Sequence, residues 1–303
     1  MADHNRLMVG AAALFVLLWS TGFIGAKFGL PYAEPMTFLA LRFALASVAL
    51  GIWGYLAGEF RGGLDDIGGA IVVGTLIHAI YLGGVFTAIW LGLGAALSAL
   101  IVGLQPVSTA LLSRIMLGER LTIRQWLGMA VGLLGVALVV AKQLSSADAN
   151  PAGVILCVIG LIAISLASIL QKARGVSHRL AADNAVQFAA AAAVMAAGAA
   201  ALETGEVDWQ PEFILALGWM VVALSLGAIS LLYILLRHGA VAVTASLFFL
   251  VPGVTAMIAW LMFDERFGLV ELCGLIGAMI GVRLVTVART AQTSDQVPGA
   301  GDR

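Results

Sequence analysis

The sequence predicts an all-α integral membrane protein in which ten transmembrane helices form two inverted five-helix repeats. Three observations predict this fold class: a composition too apolar for a water-soluble surface, ten long apolar runs, and an internal repeat. Of the 303 residues, 61% are hydrophobic and only 11% are charged, and the mean hydropathy is +1.04. Soluble domains carry about 25% charged residues. This chain must therefore place much of its surface against the lipid bilayer.

The ten apolar runs are long enough to be membrane-spanning helices. A helix needs about 20 residues to cross a bilayer core of about 30 Å. Lipid cannot hydrogen-bond an exposed backbone, so each run must be helical. Pro, Gly and charged clusters separate the runs, which we place at residues 7–29, 36–57, 67–90, 94–117, 123–141, 152–173, 182–202, 213–236, 240–263 and 268–288.

The placement of Lys and Arg predicts the orientation in the membrane. With the N-terminus in the cytoplasm, the inside segments hold eleven of these residues and the outside segments hold three. Cytoplasmic loops carry such an excess. Both termini are therefore predicted to be cytoplasmic. The polar segment 289–303 is predicted to be a disordered cytoplasmic tail.

An internal repeat relates residues 7–141 to residues 152–288. Matching residues 146 positions apart include Pro106 with Pro252 and Glu119 with Glu265. Earlier in each half, matching residues lie 145 positions apart, as do Lys27 and Lys172, or Ser20 and Ser165. An odd number of spans per repeat makes the second copy enter the membrane from the opposite side. Such inverted repeats are typical of transporters that work by alternating access.

Two stretches resemble the EamA-type permeases of the drug/metabolite transporter superfamily. The first is the run 19–23, followed by Pro35 and Arg42; the second is 105–107, followed by 117–120. The resemblance implies ten helices around a central cavity. It also implies export of amino acids or related metabolites from the cytoplasm across the bacterial inner membrane.

Polar and aromatic residues recur on one face of the first and sixth spans, at helical spacing. We predict that this face binds substrate through Trp19, Ser20, Phe23, Lys27, Ser165 and Ser168. Two alternatives remain open. Lys27 lies near a span end and could extend to the membrane surface, and the serines could hydrogen-bond their own helix backbone.

Further substrate-binding candidates lie in the second, third and fourth spans. Arg42 could bind a substrate carboxylate, or it could tie helix ends together. His78 and Tyr81, about one turn apart, could hydrogen-bond substrate, and His78 could equally bridge two helices. Gln105 lies next to Pro106, which frees a backbone carbonyl. Charged or polar groups inside a membrane are costly and are often functional.

Pro106 and Pro252 are predicted either as hinges or as fixed kinks in equivalent helices. Tyr233 and Phe248 are predicted to line the cavity, although packing against lipid or a helix would explain them equally well. Glu119 and Glu265 are expected at opposite membrane surfaces. There they would bond a helix end or pair with a nearby arginine.

The residues predict a transporter rather than an enzyme. Motifs for serine hydrolases, zinc proteases and P-loop proteins are absent, and Cys157 and Cys273 lack metal-ligand spacing, so no metal or other cofactor is expected. The net charge of -1 argues against nucleic acid as a partner. The expected partners are a small-molecule substrate and the bilayer, with the chain as a monomer or a homodimer.

The charges also indicate a substrate class. A transporter for lipophilic cations would need a mid-membrane carboxylate, and the sequence places none there convincingly. We therefore predict zwitterionic or anionic solutes, amino acids foremost. The alternatives are a multidrug efflux transporter or, from another class, a membrane-embedded enzyme.

Overall fold

The computed structural model describes residues 2–61, 66–145, 150–175, 179–228, 230–231, 250–265 and 268–295. This part of the chain is helical and contains no strand, as the sequence predicts. The helices are α1 (Ala2–Gly29), α2 (Pro35–Leu56), α3 (Ile67–Trp90), α4 (Ala95–Leu117), α5 (Ile123–Leu144), α6 (Pro151–Arg174), α7 (Leu180–Leu202), α8 (Pro211–Ala228), α9 (Leu250–Phe263) and α10 (Leu269–Asp295).

Nine of the described helices are long and apolar enough to cross a membrane. The described part of α9 has 14 residues, and residues 232–249 before it lie outside the described part. Each of the ten predicted spans overlaps one described helix, including the shorter α9. The prediction of a multi-pass helical membrane protein is confirmed.

The last helix, α10, continues to Asp295, past the predicted end at residue 288. It therefore includes the first residues of the segment 289–303, which the sequence predicts to be disordered. A helix that is already formed gains one hydrogen bond for each residue added, and no proline follows before Pro298. Residues 296–303 lie outside the described part.

Three irregular stretches interrupt the helices at membrane depth. Thr75–Leu82 of α3 and Met220–Ala228 of α8 are π-helical, and their first residues are 145 positions apart, the spacing of the sequence repeat. In α4 the helical segments end at Val102 and resume at Gln105. Pro106, at the second position of the new segment, has no N–H to continue the earlier one.

Helices of one half pack mainly against helices of the other half. α2 lies along α7, and α5 lies along α10. α1 contacts α8 and α9, whereas α6 contacts α3 and α4. In these two sets of contacts the halves exchange roles. The centre of the bundle lies between α1 and α6, with α3, α4 and α9 around them.

Glycines allow α5 and α10 to pack backbone against backbone. A Cβ atom on Gly281 would lie 2.4 Å from the backbone N of Gly132 and 2.5 Å from the carbonyl O of Gly128. One on Gly128 would lie 2.7 Å from the carbonyl O of Gly281. The two helices are therefore in close contact at these small residues, in the manner common to membrane helices.

We expect Gly281→Ala to destabilise the protein, because its methyl group would meet backbone that cannot move aside. Overpacking of this kind costs about 1–3 kcal/mol. Gly51→Ala is the matched control, since a Cβ atom there meets nothing within 4 Å. Thermal unfolding of both purified variants in detergent should show a lower Tm for Gly281→Ala alone. Equal shifts would contradict the close α5–α10 contact.

Candidate functional site

A small cavity lies among α1, α3, α4, α6 and α9. Its volume is about 20 Å³, which is room for about one water molecule. Pockets that hold a small molecule measure about 300–1,000 Å³, so this cavity is too small to hold a solute in this conformation. The lining residues are Trp19, Phe23, Tyr81, Ala99, Val102, Gly103, Gln105, Pro106, Ile164 and Val251.

Four predicted substrate-binding residues meet at this cavity. Trp19 and Phe23 line it from α1, Tyr81 from α3 and Gln105 from α4. The three helices that carry them are separate in sequence, and only the packing of these helices brings the four residues together. The cavity has aromatic walls and a few polar groups, a composition that suits a small-molecule site. Substrate contact by these four side chains stays a prediction.

The three predicted serines do not line this cavity. The hydroxyl of Ser20 donates to the carbonyl of Val16 at 2.8 Å, and that of Ser165 donates to Leu161 at 2.7 Å. Both serines are fully buried. These are the backbone bonds that the sequence left open as an alternative.

Ser168 instead holds a cavity residue in position. Its hydroxyl accepts a hydrogen bond of 2.9 Å from Nε2 of Gln105 while it donates to Ile164 of its own helix. Gln105 is thereby tied to α6 just after the break in α4. Ser168 can act on a substrate through Gln105.

The π-helical segment of α3 positions Tyr81 and His78. Such segments are rare and often lie at functional sites. Tyr81 is buried and lines the cavity, and no described residue hydrogen-bonds its hydroxyl. The His78 ring stacks on Phe188 with centroids 4.2 Å apart and lies 5.6 Å from the ring of Phe43. Its Nδ1 is buried and has no hydrogen-bond partner among the described residues.

Arg42 is a buried cation whose side chain has a single hydrogen-bond partner among the described residues. Its Nε donates to the hydroxyl of Ser225 at 3.3 Å, and its guanidinium lies 5.5 Å from the ring of Phe43. Its side chain is 5% exposed, and no described carboxylate lies within ion-pair distance of it. Burying a charge without a counter-charge is costly. Arg42 does not line the cavity, and an anionic group would be a favourable additional partner for its charge.

Lys27 lies beyond the cavity at the end of α1, in an ion pair with Glu265. Its Nζ is 2.5 Å from Oε1 of Glu265 and 4.3 Å from the centre of the Phe263 ring. Glu265 also accepts from the backbone N–H groups of Ala95 and Ala96 at the start of α4. Glu265 therefore bonds a helix end, as predicted, and its ionic partner among the described residues is Lys27.

Buried acidic groups lie away from the cavity. Asp183 of α7 is 7% exposed and pairs with Arg174 at 2.9 Å, while its other oxygen accepts from Gln187. Arg174 also bonds Asp66, ahead of α3, and this hydrogen bond lowers the pKa of that carboxyl. In the described part of the chain, no cluster of three or more His, Cys, Asp or Glu could hold a metal ion.

The remaining predictions concern the prolines and two aromatic residues. Pro252 packs against the break in α4, with its Cγ 2.6 Å from where a Cβ atom of Gly103 would lie. The two predicted hinges, Pro106 and Pro252, thus belong to neighbouring parts of the bundle centre. Hinge motion at either stays a prediction. Tyr233 and Phe248 lie outside the described residues.

A larger groove of about 360 Å³ opens between α2 and α7, away from the centre. Four of its nine lining residues are alanine, and its one carboxylate, Glu203, is already engaged. Glu203 accepts from the backbone N–H groups of Met36 and Thr37 at 2.7 Å each, so it caps α2. The central cavity, where polar and aromatic groups converge, is the better candidate site.

Sequence reasoning missed Ser225 and the small lining residues. Ser225 lies in the π-helical segment of α8, where nothing in the local sequence marks a contact with Arg42. Ala99 and Ile164 are ordinary membrane residues in sequence. The repeat could have identified one of them, because Ile164 is 145 positions from Trp19.

Comparisons with known proteins agree on one family and one activity class. The sequence model of the EamA-like transporter family matches residues 6–141 and again residues 151–287. The uncharacterized inner membrane transporter YedA of Escherichia coli strain K12 is 24% identical over 282 residues, which is 93% of this chain and 91% of YedA. The uncharacterized transporter YvbV of Bacillus subtilis strain 168 is 24% identical over 291 residues, 92% of each chain.

A protein of known crystal structure shares the fold. It superposes with a TM-score of 0.62 at 19% identity, over 95% of this chain and 99% of its own. This likeness concerns the helix arrangement and carries no information on substrate.

We expect Tyr81→Phe to weaken cargo binding and leave the fold intact, since it removes only the hydroxyl at the cavity. A hydrogen bond of this kind contributes about 0.5–1.5 kcal/mol, so the half-saturation concentration for transport should rise about three- to tenfold. Tyr55→Phe is the control, because Tyr55 is exposed at the end of α2. Unchanged saturation in both variants would remove Tyr81 from the site.

Proposed function

The chain belongs to the EamA-like transporter family, and from this premise we propose that it exports small zwitterionic or anionic metabolites, amino acids foremost, as a secondary transporter. Export would proceed by alternating access, with the central cavity exposed to one side of the membrane at a time. The observation that carries the substrate class is the buried Arg42, which has no described carboxylate partner.

Symmetry at the cavity supports alternating access. Trp19 and Ile164 line it from α1 and α6 and lie 145 positions apart, while Gln105 and Val251 line it from α4 and α9 and lie 146 apart. Inverted repeats would relate these pairs by a two-fold axis in the membrane plane that passes through the cavity. Exchanging the conformations of the two halves would then open the opposite side.

The exchange of packing partners supports the same arrangement. α1 packs on α8 and α9, and their equivalents α6, α3 and α4 pack in the same way. The repeat exchanges α2 with α7 and α5 with α10, so each of these two contacts is its own counterpart. A two-fold relation between the halves requires this pattern.

Electrostatics supports a substrate that carries a carboxylate. The lining residues include no acidic group, and the buried Asp183 is already paired with Arg174. Arg42 has donors to spare, and a guanidinium can bind a carboxylate through two parallel hydrogen bonds. A multidrug transporter for cations would need the reverse, a free carboxylate near the cavity.

We also propose that the protein lies in a bacterial inner membrane with both termini in the cytoplasm. YedA is named as an inner membrane transporter, and the excess of Lys and Arg in alternate loops supports the orientation. Fusions of a cytoplasm-active fluorescent protein and a periplasm-active phosphatase to each terminus test this. Phosphatase activity at either terminus would contradict the orientation.

Counterflow in proteoliposomes tests the function directly. Vesicles are loaded with an unlabelled amino acid and offered a trace of the labelled one. Saturable, stereoselective uptake is expected for a carrier with a defined site. Uptake of quaternary ammonium dyes, with none of amino acids or organic acids, would overturn the proposed substrate class.

We expect Arg42→Gln to raise the half-saturation concentration for anionic and zwitterionic cargo at least about tenfold, since hydrogen bonds to a charged group contribute about 1.5–3 kcal/mol. The fold should accept glutamine, because Gln187 occupies the equivalent position in the second half. Arg283→Gln, on the exposed side of α10, is the control. If both variants transport like the unmodified protein, Arg42 does not bind the cargo.

A further inference from the structure

We infer that Lys27, Glu265 and the N-terminus of α4 form a gate over one end of the cavity, and that Lys172 and Glu119 form the matching gate at the other end. The two gates close in alternation. This inference rests on the proposed alternating access and names the residues that carry it out.

The first gate joins three separate elements through one carboxylate. Glu265 follows α9, pairs with Lys27 of α1 at 2.5 Å, and accepts from Ala95 and Ala96 of α4 at 3.4 and 3.5 Å. A carboxylate at a helix N-terminus is favoured by the unpaired N–H groups and by the helix dipole. Loss of this one charge would remove the ion pair and weaken the backbone hydrogen bonds that tie α1, α4 and the end of α9 together at this point.

The gate lies directly beyond the cavity. Lys27 is four residues, about one helical turn, after Phe23, which lines the cavity from α1. Ala95 is one turn before Ala99, which lines the cavity from α4. A solute that leaves the cavity between these two helices must pass the ion pair.

The sequence repeat supplies the second gate. Lys172 lies 145 positions from Lys27, and Glu119 lies 146 positions from Glu265. Lys172 is one turn after Ser168 on α6, and Ser168 bonds the cavity residue Gln105. The lysine thus stands beyond the opposite end of the cavity, as Lys27 does beyond the first.

The two lysines differ in this structure. Lys27 is in its ion pair, whereas Lys172 is exposed and forms no ion pair within the part of the chain that the structure describes. Each pair would join a lysine of one half to a glutamate of the other, so the two conformations would have similar free energies because one ion pair replaces the other. Weakening one gate should therefore shift the population toward the conformation that closes the other.

Cysteine labelling tests the first gate without any transport assay. In a background with Cys157→Ala and Cys273→Ser, Ala99→Cys places a thiol in the cavity. A membrane-impermeant maleimide is added to right-side-out and to inverted membrane vesicles. We expect Glu265→Gln to raise the labelling rate from one side at least about fivefold, because the carboxylate charge that pairs with Lys27 is lost.

Glu271→Gln is the matched control. Glu271 pairs with Lys142 at 2.6 Å and joins α10 to α5, away from the cavity. It should leave the labelling rate of Ala99→Cys unchanged. Equal effects of the two Gln variants would overturn the gate.

Disulfide formation tests the second gate in the same cysteine-free background. Lys172→Cys with Glu119→Cys should cross-link more under mild copper oxidation when Glu265→Gln is also present. An unchanged or lower yield would overturn the alternation. The outcomes also separate the two proposals: altered labelling and cross-linking with no counterflow of any solute would keep the gates and refute the proposed function. Counterflow with unaltered labelling would do the reverse.

Discussion

The requirement that every backbone polar group in a bilayer find a partner governs this structure. Lipid offers no hydrogen bonds, so the chain crosses the membrane as helices. Irregular backbone is tolerated only where protein covers it, and the break at Gly103 and Leu104 follows this rule. The residues beside it line the small central cavity, and Pro252 packs against it. The π-helical segments of α3 and α8 likewise carry the buried Tyr81 and Ser225.

In the same low-polarity surroundings, the free-energy cost of a charge depends on where it lies and on what it pairs with. Lys142 and Arg174 lie at helix ends, where they pair with carboxylates. Arg42 is the exception, because it lies in mid-helix with a hydroxyl and an aromatic ring as its neighbours. Charged groups inside membrane helices are costly and are often functional. The Lys27–Glu265 pair joins the two halves. In the proposed gating, the equivalent pair of Lys172 and Glu119 would replace it.

Packing between the halves indicates which helices could move in the proposed alternating access. The α5–α10 contact is backbone against backbone and has no space to adjust. Around the cavity the contacts are side chains and one bent helix. Motion would therefore be concentrated in α1, α4, α6 and α9, while the glycine contact holds the halves together.

The sequence by itself determined the helical membrane fold, the positions of the helices and the family. Those properties follow from composition, apolar run length and repeated residues, which are local or additive. Trp19, Phe23, Tyr81 and Gln105 could be selected from the sequence for the same reason, since polar and aromatic residues are conspicuous in apolar helices, and the packing of the helices places them around one cavity. Their roles toward a substrate stay predictions.

Only the tertiary structure decided which polar groups meet. Lys27 could have extended to the membrane surface, yet Glu265, 238 residues away, pairs with it. The hydroxyls of Ser20 and Ser165 donate to carbonyls of their own helices, whereas the hydroxyl of Ser168, about one turn after Ser165, also accepts a hydrogen bond from Gln105. Helices that are apolar all round carry no periodic signal of which face is buried. The partner of each polar side chain is therefore set by how the helices pack across the two halves.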